Sequence, residues 1–163
     1  MYAVAHNPSI QVTDLLLSAG AKVEARDNVG DTPLMWASAG NSNPAVISRL
    51  IAAGARIEDR NIDGNTPLMW AAGIYSGNSN PSVIKALVAA GAKVNERNNA
   101  GKTPLMLAAE TNKNPEIIVA LLDAGANPKL VSGDGKSALD YARLNPYLYD
   151  TPALQELAKR TSG

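Results

Sequence analysis

The sequence predicts an all-α solenoid of stacked helix-turn-helix units with projecting β-turn fingers, and three observations predict it. A Gly-Ala pair recurs at Gly20, Gly54, Gly91 and Gly125, at spacings of 34, 37 and 34 residues. A second glycine series, Gly30, Gly64, Gly101 and Gly135, keeps the same irregular ruler. Between the two series run apolar stripes at helical spacing: Val46, Ile47, Leu50 and Ile51; Val83, Ile84, Leu87 and Val88; Ile117, Ile118, Leu121 and Leu122. One helix pair cannot bury such a stripe alone, so neighbouring pairs must stack.

Each unit carries its own punctuation. Thr32-Pro33, Thr66-Pro67 and Thr103-Pro104 put a capping hydroxyl ahead of a proline at the first helical position. Asn43-Pro44, Asn80-Pro81 and Asn114-Pro115 start the second helices in the same way. Each second helix ends at Ala-Gly, where glycine can adopt the left-handed conformation that closes a helix. The tetrads beginning at Asp27, Asn61, Asn98 and Ser132 each end in glycine and read as turns, the fingers between units.

On this ruler the chain is one domain over residues 1–163. It divides into a partial first repeat (1–24), three full repeats (25–58, 59–95 and 96–129) and a C-terminal capping repeat (130–163). Tyr2, Trp36, Trp70, Leu107 and Tyr141 share one repeat position, so Met1 aligns with Met35 and Met69. That alignment reads either as a fragment starting inside a first helix or as a native start with a degenerate cap. In the last unit Lys136-Ser137-Ala138-Leu139 replaces the Thr-Pro-Leu motif. A polar helix from Thr151 to Arg160 follows, with Leu154 and Leu157 facing inward, as the open end of a stack requires.

The segments beginning at Gly30, Gly64 and Gly101 (GDTPLMWAS, GNTPLMWAA and GKTPLMLAA), each followed by a helix and AGA, resemble ankyrin repeats over almost the whole chain. The resemblance implies a module that binds other proteins through its concave face and fingers. One departure is systematic: the family's histidine after Thr-Pro-Leu is Met35, Met69 and Met106 here. The bonds that histidine makes to the backbone must be absent or replaced. The Asn-Pro-x-Val-Ile start of the second helix is similar to bacterial members of the family.

Composition narrows the chemistry. Lys and Arg number 15, Asp and Glu 15, so the electrostatic footprint of a nucleic-acid binder is missing. No apolar run approaches the roughly 20 residues that span a bilayer, and no signal peptide is visible, which leans toward the cytoplasm. There is no cysteine, hence no disulfide and no thiolate metal site. His6, the single histidine, reads as a solvent-exposed terminal residue rather than a general base. Asp63 and Asp134 are explained by turn geometry, and no phosphate loop, Rossmann fingerprint or calcium loop occurs. The reading is a monomeric, non-catalytic adaptor or scaffold without cofactor or metal, binding a partner protein. Its alternative is a regulatory or structural segment of a larger polypeptide docking on a neighbouring domain.

Carried over by repeat position, the candidate binding surface comprises Arg26, Asn28 and Asp31; Arg60, Ile62 and Asn65; and Arg97, Asn99 and Lys102. The arginines lie beside Glu24, Glu58, Asp59 and Glu96, so they read as intramolecular pairs or stem packing, with recognition of an acidic protein patch as the alternative. Trp36 and Trp70, one repeat apart, read either as interface anchors with an exposed edge or as filling between first helices. The middle unit is three residues longer than its neighbours. The excess falls in the loop 73–78, where Ile74 and Tyr75 could touch a partner.

Overall fold

A computed structural model of the chain describes residues 2–74, 78 and 80–162. Its helices run α1 (Tyr2–His6), α2 (Ile10–Ser18), α3 (Pro33–Gly40), α4 (Pro44–Ala52) and α5 (Pro67–Ala72). They continue as α6 (Pro81–Ala89), α7 (Pro104–Thr111), α8 (Glu116–Asp123), α9 (Ala138–Ala142) and α10 (Pro152–Ser162). The odd-numbered helices pack on one another in one layer, α1 on α3, α3 on α5, α5 on α7 and α7 on α9. The even-numbered helices form a second layer in the same order, from α2 to α10.

The caps form as the Thr-Pro and Asn-Pro pairs dictate. Thr32 Oγ1 accepts from Met35 N at 3.3 Å and Thr103 Oγ1 from Met106 N at 3.3 Å. Asn43 Oδ1 accepts from Ala45 N at 3.0 Å, and Asn80 Oδ1 from Ser82 N at 2.9 Å. At the far end of α4 the backbone turns through Gly54 at φ +99°, a conformation that a Cβ would strain. The methionine departure has a physical answer here. Met35 Sδ and Met106 Sδ each accept the cap threonine's N–H at 3.5 Å, so sulfur closes the second half of a capping box.

The core is continuous. Leu34, Val46, Ile47, Leu50, Leu68, Val83, Ile84, Leu87, Leu105, Ile117 and Leu121 are all 0–1% exposed and belong to one cluster. Within the first layer, neighbouring helices come close where a small residue separates them. A Cβ on Gly73 would sit 2.3 Å from Leu107 O, so α5 and α7 could not approach as they do with any other residue there. The final unit closes the stack. In α10, Leu157 and Ala153 are buried, Leu154 is partly buried, and Gln155, Lys159 and Arg160 are exposed. Arg160 also donates to Leu122 O at 3.0 Å and pairs with Asp123 at 2.9 Å, satisfying the end of α8.

Candidate functional site

The fingers are built from their first residue. Asp27 Oδ1 accepts from Val29 N at 3.0 Å and Asp31 N at 2.9 Å. Asn61 repeats this with Asp63 N at 3.1 Å and Asn65 N at 2.9 Å, and Asn98 with Ala100 N at 3.1 Å and Lys102 N at 2.9 Å. Each turn then closes on its glycine, as Gly64 N donates to Asn61 O at 3.0 Å with Gly64 at φ +76°.

Adjacent fingers are joined into a strip. Ile62 N donates to Val29 O at 3.1 Å, Asn99 N to Asp63 O at 3.0 Å and Gly133 N to Ala100 O at 2.9 Å. Arg26, Arg60 and Arg97 complete it. Arg26 Nη1 donates to Gly30 O in its own finger at 2.9 Å and to Arg60 O in the next at 3.0 Å. Arg60 does the same with Gly64 O at 3.2 Å and Arg97 O at 2.7 Å, and Arg97 with Val131 O at 2.6 Å. Asp59 pairs with Arg26 at 2.6 Å and Glu96 pairs with Arg60. Of the two sequence readings of these arginines, the structure has the intramolecular one: their fork geometry is spent on carbonyls and stem carboxylates.

Other candidates separate by burial. Asn28, Ile62 and Asn99 stand exposed, Ile62 at 65%. Asn99 Nδ2 also donates to Ile62 O at 2.9 Å, which steadies the second and third fingers against each other. Asp31 and Asn65, expected on the binding surface, are only 1% and 5% exposed and are corrected to structural positions. Asn61 Nδ2 donates to Asp31 Oδ1 at 2.7 Å and Asn98 Nδ2 to Asn65 Oδ1 at 2.8 Å, holding both side chains between fingers. Burial pushes the Asp31 carboxyl above its ordinary value of 3.8, against the pull of the Asn61 amide.

The tryptophans also part company. Trp70 is 1% exposed between its neighbours in the first layer, which corrects the expectation of an exposed edge there. Trp36 is half-buried, its ring centroid 5.1 Å from that of Trp70 at an interplanar angle of 56°. Its indole N–H donates to Asp27 Oδ2 at 3.0 Å. Burial opposes ionisation of Asp27, yet the Asp31, Val29 and Gly30 amides and the indole together hold its carboxyl below the usual value. Beside Trp36, a cavity of about 220 Å³ is lined by Ala5, His6, Ala39 and Gly40.

Lys102 is partly buried and bound to Glu110 at 2.7 Å, with its ammonium 4.7 Å from the centre of the Tyr141 ring. Burial would lower the Lys102 pKa, and the bond to Glu110 outweighs it. Ile74 is half-buried, and Tyr75 lies outside the described residues. Among the described residues no cluster of three His, Cys, Asp or Glu side chains is placed to hold a metal ion. No described helix is long and apolar enough to cross a membrane.

Sequence reasoning missed a second ladder at the opposite end of the first helices. Asn41 Nδ2 donates to Asn7 O at 2.8 Å. Asn78 Nδ2 bonds Ser38 O at 3.1 Å and Asn41 O at 2.6 Å, and Asn112 Nδ2 bonds Ala72 O at 2.6 Å and Asn78 O at 3.2 Å. Asn145 Nδ2 continues with Ala109 O at 3.1 Å and Asn112 O at 3.0 Å. The signal was present, since Asn7, Asn41, Asn78 and Asn112 keep the 34, 37 and 34 ruler.

Comparison with known proteins finds ankyrin repeats along the chain. Three family models match: ankyrin repeats (3 copies) over residues 1–76, a single ankyrin repeat over 63–99, and ankyrin repeats (many copies) over 87–142. No curated protein matches the chain.

Proposed function

Because the chain belongs to the ankyrin-repeat family, whose repeats are general protein–protein interaction modules, we propose that it is a non-catalytic adaptor or scaffold that binds a partner protein through its finger strip. The observation that carries this reading is an exposed apolar pair on two joined fingers. Val29 is 40% and Ile62 65% exposed, on turns joined to each other by the Ile62 N–H to Val29 O bond and by Arg26, which donates to Gly30 O and Arg60 O. Apolar side chains on a rigid, hydrogen-bonded frame lose little conformational freedom on docking, which lowers the entropic cost of association. Asn28, Asp63 and Asn99 flank the pair and supply a polar rim.

Comparing retention of binding proteins by the immobilised chain and two variants tests the reading. Ile62→Asp, on the strip, is expected to weaken retention at least about tenfold with the helical circular-dichroism signal intact. Lys85→Glu, exposed on α6 in the second layer, is expected to leave it unchanged. The reverse pattern would assign recognition to the second-helix layer instead.

A further inference from the structure

We propose that the finger strip takes a basic segment of its partner, a lysine or arginine seated on Asp63 with apolar side chains beside it on Val29 and Ile62. This rests on the strip being the docking surface, and adds the charge of what docks there. Val29 and Ile62 lie together because Ile62 N donates to Val29 O at 3.1 Å. Asp63 is exposed next to them at the tip of the second finger. It also borders a cleft of about 500 Å³ between the second and third fingers, with Asn65, Asn98, Asn99, Lys102 and Leu107 as further walls. A cleft of that size has room for a long cationic side chain to lay its apolar stem down and bring its head to the carboxylate.

Repeat register shows what Asp63 lacks. Its counterparts at the finger tips are Val29, Ala100 and Asp134. Asp134 has its cation two positions on, Lys136 at 3.3 Å. Lys102 holds that register in the third finger, but Asn65 holds it in the second and Asp31 in the first. Both are buried and accept an asparagine amide of the next finger, so neither brings a cation to the tip. Other carboxylates have their cations within the chain: Asp59 pairs with Arg26, Glu96 with Arg60 and Glu110 with Lys102. Among the described residues no cation pairs with Asp63.

The surroundings make the same demand. Residues 27–48 and 61–84, which carry the first two fingers and their first helices, contain Asp27, Asp31 and Asp63 and no Lys or Arg. The chain is neutral as a whole, so the balancing positive charge lies elsewhere. The excess is felt inside the strip: burial raises the Asp31 carboxyl first, and repulsion from Asp27 and Asp63 adds to it. Lys102, across the cleft, does not answer Asp63, because its ammonium is bound to both Glu110 oxygens at 2.8 and 2.7 Å. A partner cation at Asp63 therefore meets an unopposed negative charge. Apolar contact at Val29 and Ile62 displaces water beside it, and a drier pair is a stronger one.

The test titrates the whole chain, followed by its amide resonances, with two end-blocked peptides: Gly-Ser-Leu-Lys-Leu-Ser-Gly, and the same with norleucine for lysine. The lysine peptide is expected to shift Val29, Ile62, Asp63 and Asn99 and to leave Lys85 and Val88 in place. Asp63→Ala keeps the finger, since the bonds to Asn61 and Asn99 are made by the Asp63 backbone. It is expected to weaken the lysine peptide about threefold or more, as is the change to norleucine. Asp150→Asn removes the same charge from an exposed loop before α10 and is expected to change nothing, which separates a seat from general attraction. Added salt is expected to weaken the lysine peptide and spare the norleucine one. Equal affinity for the native chain and Asp63→Ala, or for the two peptides, overturns the cation seat, while shifts at Val29 and Ile62 would keep the strip as a docking surface. Shifts confined to α6 and α8 overturn both, and no shift anywhere overturns the cation seat.

Discussion

Ser38 measures what one atom costs in a core this small-grained. Its hydroxyl is buried at 0% exposure without a hydrogen-bond partner, while its counterparts Ala72 and Ala109 carry no polar atom there. Burying an unsatisfied hydroxyl costs about 1–3 kcal/mol. Ser38→Ala is therefore expected to stabilise the chain by about 1 kcal/mol, read as a higher urea midpoint with an unchanged slope. A lower midpoint would mean that the hydroxyl has a partner in solution. Met35 and Met106 show the converse economy, since a sulfur acceptor lets the Thr-Pro cap close without histidine. At this scale the sequence was a good guide to caps and turns, whose chemistry is local. It was a poor guide to the two tryptophans: their immediate neighbours are nearly identical, and only the helices on either side make Trp70 core and Trp36 half-open.

At the scale of elements, two ladders hold the pairs in register, one of arginines along the fingers and one of asparagines at the opposite corner. The asparagine rungs are buried, so each amide both satisfies carbonyls of the preceding unit and caps the loop after it. Asn112 Oδ1 accepts from Asn114 N at 2.9 Å while its Nδ2 donates to Ala72 O and Asn78 O. Asn112→Ala strands those groups in a dry place and is expected to cost about 3 kcal/mol in urea unfolding. A loss under about 1 kcal/mol would show that water replaces the amide. The finger ladder was half legible, since Arg26, Arg60 and Arg97 share a repeat position beside acidic residues. The asparagine ladder was not, because Asn after a helix already reads as ordinary turn chemistry. Asp31 and Asn65 were misjudged for a related reason: finger residues alternate between outward and inter-finger positions, and spacing along one chain segment does not show which.

For the whole molecule, the helices among the described residues pack on those of their own and adjacent units, so its stability is approximately a sum over units and their shared faces. The last finger carries a charge tied to the first helix of its unit. Asp134 accepts from the hydroxyls of Ser132 and Tyr141, the latter at 2.8 Å, and lies 3.3 Å from Lys136. These bonds, the Ser132 hydroxyl foremost, hold its carboxyl far below the ordinary value of 3.8. A depressed carboxylate stabilises fully above its unfolded-state pKa, and that contribution fades as pH falls through the folded one. Hydrogen exchange in α9 and α10 is thus expected to be slower in the native chain than in Asp134→Asn near pH 7, with the gap narrowing near pH 2. An equal gap at both values would exclude the carboxylate charge as its source. The order of the helix pairs and the polar final helix were readable beforehand, because repetition averages out local ambiguity. Distances between units were not, because glycines such as Gly73 set them through contacts 34 residues away.

The strip of fingers also has mechanical meaning. Its rungs act in series, each spanning one boundary, so tension applied at the two termini bears on every boundary at once and the weakest yields first. Each unit of about 34 residues then pays out roughly 110–120 Å of slack at about 3.3–3.6 Å per residue. A tether built this way lengthens in instalments and re-coils behind the load, behaving as a spring rather than a string.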